Sequence, residues 1–196
     1  RMSRSLTFTL YLTAIFLQAG AYGLTFMLPR LFASFGATEK AVGAMLLVTT
    51  VTTVITVYFS GHLSDIFGRL RTLGIACIAI SASLYIYGSV NSVGLLLVLG
   101  STLLGFGWGL TYLLGPIVLT RLVKPEERVQ FFALLSVFVM AGFGLTPVLA
   151  YGLEVWGFLV RTPFHLTAIL CLISAVLFFI LTSPMRLIQR RKRLRG

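Results

Sequence analysis

The sequence predicts an all-α fold: a polytopic membrane protein with six transmembrane helices. Three observations carry that reading. The chain is 58% hydrophobic and 11% charged, where a soluble domain sits near roughly 45–50% apolar and about 25% charged. Its apolar residues gather into six stretches, each long enough to cross a hydrocarbon core of roughly 30 Å. Thirteen of its sixteen Lys and Arg fall on one side if the chain weaves through a bilayer from an inner N-terminus.

The stretches run Leu6–Pro29, Val42–Phe59, Thr72–Val90, Leu95–Leu119, Phe131–Leu153 and His165–Thr182. Backbone groups in lipid must be satisfied within the segment, so each is expected to be a helix. The first is too long for a secretory signal, and no cleavage site of small residues follows it. Thr38 is placed to cap the second helix, with Glu39 in its first turn. That helix carries a β-branched run, Val48–Val57, which in water would suggest a strand. In lipid a lone strand leaves its backbone groups unpaired, whereas Thr hydroxyls can bond carbonyls one turn earlier, so a helix is expected. Asn91-Ser92 turns the third helix into the fourth. Trp156 falls in the outer connection between the fifth and sixth, where interfacial aromatics belong. Pro163 opens the sixth helix and Ser183-Pro184 closes it. The whole chain, 1–196, reads as one six-helix bundle, with 184–196 a basic cytoplasmic tail. Short connections make successive helices antiparallel neighbours.

The net charge of +11 would suit nucleic acid, but its position argues against that partner. The inner flanks hold Arg1 and Arg4, Arg69 and Arg71, Arg121, Lys124 and Arg128, then six basic residues from Arg186 to Arg195; the outer side keeps Arg30, Lys40 and Arg161. This is the positive-inside distribution, with both termini cytoplasmic. The basic tail is a topology signal and a candidate contact for anionic lipid. Cys77 and Cys171 lie mid-helix and read as free thiols packed as small hydrophobes.

Between the second and third stretches lies Gly61-His62-Leu63-Ser64-Asp65-Ile66-Phe67-Gly68-Arg69-Leu70-Arg71. Gly61 would let the second helix pack closely, and Gly68 would take a turn position without a Cβ penalty. Asp65 could pair with Arg69 or face a helix N-terminus. The segment resembles the loop between helices 2 and 3 of major facilitator superfamily transporters, G-x-L-[AS]-D-R-x-G-R-[RK]. Ile66 stands where an Arg is usual and Leu70 replaces another basic residue. The resemblance implies a gating loop of Gly61, Asp65, Gly68, Arg69 and Arg71 that latches two halves of a carrier; the plain alternative is a positive-inside turn with a stray acid. Lys124-Pro125-Glu126-Glu127-Arg128 is similar to the family's next inner loop, though two acids beside a helix N-terminus suffice to explain it.

The fourth stretch carries Gly105-Phe106-Gly107-Trp108-Gly109 and then Tyr112, glycines that permit close helix approach. Ser101 stands where the family often has an Arg tied to proton coupling. The fifth carries Gly142-Phe143-Gly144-Leu145-Thr146-Pro147, similar to a diluted antiporter motif with Thr146 in place of a Gly. Helix packing, or a gating kink at Pro147, would account for it. Gln18 and Tyr22 share a face of the first helix, and Trp108 and Tyr112 a face of the fourth. Since those helices line the family's central cavity, the four are candidate substrate contacts; interhelical hydrogen bonding is the alternative.

The resemblance further implies a half bundle built as a 3+3 inverted repeat, in the cytoplasmic (inner) membrane of a bacterium. The chain begins with Arg and stops where the family places its central linker, so an N-terminal half is expected. Its partners would be the lipid bilayer, a small-molecule substrate, and a missing C-terminal six-helix half or second copy. The five acids, Glu39, Asp65, Glu126, Glu127 and Glu154, all sit at helix ends or in loops. No metal-ligand spacing, nucleophile motif or phosphate loop is visible, so neither a cofactor nor an enzyme is expected. The function expected is secondary active transport of an uncharged or amphipathic small solute by alternating access, efflux being one direction. The alternatives are a non-transporting six-helix subunit or a channel component.

Overall fold

The computed structural model describes residues 3–194, without the side chains of Gln189 and Lys192. Arg1 and Arg195 of the charge distribution, and the last two residues of the basic tail, lie outside the described residues. The described residues form helices α1 (Arg4–Gly23), α2 (Leu28–Ser34), α3 (Glu39–Phe67), α4 (Arg69–Ser89), α5 (Leu95–Leu122), α6 (Arg128–Val155), α7 (Thr162–Ile180) and α8 (Thr182–Arg193). Among the described residues six spans are long and apolar enough to cross a membrane: α1 with α2, then α3, α4, α5, α6 with the turn before it, and α7 running on into α8 as far as Ile188.

The β-branched run is helical throughout. Hydroxyls of Thr50, Thr52 and Thr53 each donate to the carbonyl four residues earlier, at 2.8 Å, so the side chains that disfavour helix in water satisfy themselves within it. Thr38 caps α3, accepting from the Ala41 N–H. Pro163 sits in the first turn of α7, where its missing N–H costs nothing.

Three boundaries stand out against the sequence reading. The first span does not end at Pro29. It tightens into a 3-10 turn over Leu24–Met27 and resumes as α2, with Pro29 in that helix's first turn. The second span does not end at Phe59; α3 runs on to Phe67, so Gly61 and Asp65 ride its last turns rather than a loop. Only Gly68 separates α3 from α4, at φ 88°, a conformation that favours glycine. The sixth helix closes slightly before Ser183-Pro184: α7 ends at Ile180, and the basic tail continues as α8. Pro184 falls in the first turn of α8, a helix position it tolerates, and Met185 is buried beneath it.

The spans touch in an open series: α3 on α5, α5 on α4, α4 on α7, α7 on α1, α1 on α6. In span numbers this is 2-4-3-6-1-5. Exchanging span 1 with 4, 2 with 5 and 3 with 6 reverses the series and leaves each of these five contacts in place. Two antiparallel units of three helices related in this way constitute a 3+3 inverted repeat. The two ends of the series, α3 and α6, are the least covered. In their most apolar windows 22% and 11% of residues are buried, against 44–67% in the other four spans.

Small residues set the seams. A Cβ on Gly105 would collide with the Thr49 carbonyl and lie 2.8 Å from Thr52 Cβ; one on Gly109 would lie 2.9 Å from Thr56 Cβ. A Cβ on Gly107 would meet Ile80 and the Ala76 carbonyl, at 2.5 and 2.6 Å. The alternating glycines therefore serve two helices: Gly105 and Gly109 face α3, Gly107 faces α4. On α6, a Cβ on Gly142 would meet Gly20 N and Phe16 O of α1, at 2.8 and 2.9 Å. A methyl group on Gly61 or Gly144 would have no neighbour within 4 Å, so the close packing expected of these two is not made within this bundle. α6 is one helix through Pro147.

Polar stitches cross the α1–α5, α1–α7, α4–α7 and α3–α5 seams. Tyr11 donates to Gly115 O at 2.6 Å, Ser174 to Ala14 O at 2.6 Å and Ser81 to Ala168 O at 2.7 Å. Thr49 and Thr53 also reach Ser101 O and Gly105 O, at 3.2 and 3.3 Å. Such bonds are worth roughly 0.6–2 kcal/mol each in a membrane. Cys77 and Cys171 are free and buried.

Candidate functional site

Gln18, on α1, is fully buried. Its amide nitrogen donates to the Thr111 hydroxyl of α5, which donates in turn to Gly107 O at 3.0 Å. The Gln18 Oε1 has no hydrogen-bond partner among the described residues. A buried acceptor without a partner is uncommon in native proteins, and leaving it so costs about 1–3 kcal/mol.

One turn further along α1, Tyr22 stacks on Trp108 of α5, ring centres 4.1 Å apart and planes 20° from parallel. Phe143 of α6 closes on both, at 5.8 Å from Tyr22 and 5.4 Å from Trp108. Phe26 abuts Phe143 edge-on at 6.3 Å. Three spans thus build one aromatic cluster beside the unsatisfied amide. It is held close because Gly23 and Gly142 let α1 and α6 approach: a Cβ on Gly23 would lie 2.8 Å from Phe143 Cα.

Of the four residues expected to share a cavity, the structure brings three together. Tyr112 stands apart, 65% exposed, with neither a ring contact nor a hydrogen bond among the described residues. Trp108 leans toward α1 while Tyr112, one turn on, faces away from the bundle. Thr111 and Phe143 join the site without standing out in the sequence. Thr111 is a lone hydroxyl beside Tyr112, and Phe143 is the aromatic between two glycines; each is overshadowed by a more conspicuous neighbour.

The second group lies at the end of the bundle that carries the N-terminus. Asp65, Arg69 and Arg71 surround the Gly68 junction. The ion pairs within 4 Å among the described residues lie elsewhere. Arg4 pairs with Glu127 at 3.3 Å, and Arg30 with Glu154 at 2.7 Å. These two pairs tie the first span to opposite ends of the fifth. They place Arg4 and the 124–128 connection at one end of the bundle and Arg30 at the other, in keeping with the charge asymmetry of the sequence. Among the described residues no cluster of His, Cys, Asp and Glu could hold a metal ion.

An all-helical half bundle with swapped triplets of spans is the architecture of a membrane transporter domain. The family model described as Major Facilitator Superfamily matches residues 10–194, and the chain belongs to that family. It is 32% identical over 126 residues to a protein of Cupriavidus pinatubonensis named "Probable 4-methylmuconolactone transporter", covering 64% of this chain and 28% of that one. Its fold matches the inward-open xylose transporter XylE of E. coli with a TM-score of 0.72 and 18% identity, over 95% of this chain and 52% of that one. The chain therefore spans about a quarter of the curated relative's length in the aligned region, and about half of the solved carrier.

Proposed function

We propose that the chain forms the N-terminal half of a secondary carrier that moves a small organic solute by alternating access. The observation that carries this reading is the Gln18, Tyr22, Trp108 and Phe143 group. It joins a buried amide acceptor without a partner to an aromatic surface shared by the first, fourth and fifth spans. Aromatic faces and one neutral hydrogen-bonding group suit an uncharged or amphipathic solute. No charged residue lies mid-span to hold a multivalent ion. The relative named for 4-methylmuconolactone supports a small organic cargo.

The half-bundle reading rests on the uncovered ends of the helix series. α3 presents Leu47, Val51, Val54 and Tyr58, and α6 presents Val137, Met140 and Val148, all exposed. A second six-helix unit would close a midplane site against this half. Both termini then face the cytoplasm, and efflux is one direction such a carrier could run.

Uptake or extrusion of a panel of small organic solutes by proteoliposomes of the two-half protein tests the proposal. Trp108→Ala and Gln18→Leu are expected to raise the KM of the transported solute several-fold while the protein stays folded. Unchanged kinetics in both variants, or flux that rises linearly with concentration without saturating, would refute it.

A further inference from the structure

The end of the bundle that carries Arg4 holds a cavity of about 200 Å³. Its walls are the first residues of α4, Val118 of α5, and Thr182, Met185 and Arg186 of α8. Arg69, Arg71 and Arg186 all line it. The Arg186 guanidinium reaches to 4.0 Å from where a Cβ on Gly68 would stand. Arg121 adds a fourth cation within electrostatic range of Arg69, and Asp65 lies within the same range. None of the four arginines takes part in an ion pair among the described residues.

Arg71, Arg121 and Arg186 are exposed, so water screens much of their mutual repulsion, and an anion seated among them would relieve what remains. α8 is what completes the cluster. It folds back against α1, α5 and α7, anchored by the buried Met185, and so carries Arg186 to the start of α4. No side chain among the described residues caps the N-terminus of α4, whose first residues line the cavity. Guanidinium forks match phosphate oxygens in shape as well as in charge.

We propose that this pocket, formed by Arg69, Arg71 and Arg186 where α8 meets α4, binds an anionic phosphate group. Two sources carry that chemistry: the headgroup of an anionic phospholipid and free phosphate. The site lies at a bundle end flanked by lipid, where basic pockets between helices hold phospholipid headgroups. The inference does not depend on which solute is carried, or on whether any is.

The protein is placed in nanodiscs of phosphatidylcholine, with and without phosphatidylglycerol, and lipid retention is read by native mass spectrometry and thermal stability. Phosphatidylglycerol should be retained and should raise the Tm. The double variant R71Q/R186Q should weaken retention on the order of tenfold, while R186K keeps most of it. Arg190→Gln, on an exposed part of the same helix, controls for general attraction to the surface. Stabilisation by inorganic phosphate in pure phosphatidylcholine, lost in the double variant, would assign the site to free phosphate. Equal losses in R190Q and R186Q, or retention unchanged in the folded double variant, would overturn the proposal. So would indifference of the wild-type protein to both phosphatidylglycerol and phosphate.

Discussion

Gly142 and Gly144 lie two residues apart on α6, and the structure gives them opposite surroundings. A methyl group on Gly142 would stand 2.8 Å from Gly20 N, 2.9 Å from Phe16 O and 3.0 Å from Ala19 Cβ. Two of these are backbone atoms of α1, so relief requires the whole helix to move by several tenths of an ångström. Overpacking of this kind costs about 1–3 kcal/mol. The same shift would loosen Phe143 from Tyr22 and Trp108, where aromatic contacts are worth about 0.5–1.5 kcal/mol. Replacing a helical glycine by alanine returns about 0.5–1 kcal/mol. Gly142→Ala should therefore destabilise the six-helix chain by roughly 1–3 kcal/mol net. Gly144→Ala meets nothing within 4 Å and should be neutral or stabilising by up to about 1 kcal/mol. Thermal unfolding in detergent, followed by intrinsic Trp fluorescence, reads both. Equal destabilisation by the two substitutions, or a Gly142→Ala variant as stable as the parent, would refute the assignment of the α1–α6 seam.

Three further outcomes are expected. A Cys at Ser34 or Thr162 should react with an impermeant thiol reagent from outside the cell, against a low background because Cys77 and Cys171 are buried; labelling from the cytoplasmic side alone would overturn the topology. Asp65→Asn keeps the shape of the side chain and removes its charge, so it should slow transport by the two-half protein several-fold without affecting insertion; unchanged rates would leave the α3–α4 junction a plain structural turn. The 196-residue chain alone should not accumulate solute against a gradient, since α3 and α6 lack a partner surface; uphill, saturable uptake by a demonstrated monomer would contradict this.

The spans are legible in the sequence because lipid leaves the backbone few options: a long apolar run must be a helix, whatever its β propensity, as residues 48–57 show. The ends are less legible. Hydropathy falls before the helix does, so α3 outlasts its apolar stretch by residues 60–67, and α8 reads as a tail because its basic residues hide Met185 and its helical period. The two-faced role of Gly105, Gly107 and Gly109 is visible as close packing but not as direction, since spacing alone does not say which helix lies on which side. Tyr112 groups with Trp108 by their shared face. A four-residue step advances about 40° beyond a full turn, and at the edge of a contact that suffices to turn one ring inward and leave the other outside.

The hydroxyls along the α3–α5 seam have a mechanical consequence. Thr49 and Thr53 each donate to a carbonyl of their own helix, at 3.1 and 2.8 Å, as well as reaching one on α5. Lifting α3 away from α5 would break the outer contact and leave the inner one intact. The edge helix could separate or slide without exposing a bare hydroxyl to hydrocarbon; what opposes its motion is the fit of threonine methyls into glycine notches. Such a seam behaves as a dry bearing, tight in place and lubricated by its own internal hydrogen bonds, and it lies on a span whose outer face is uncovered.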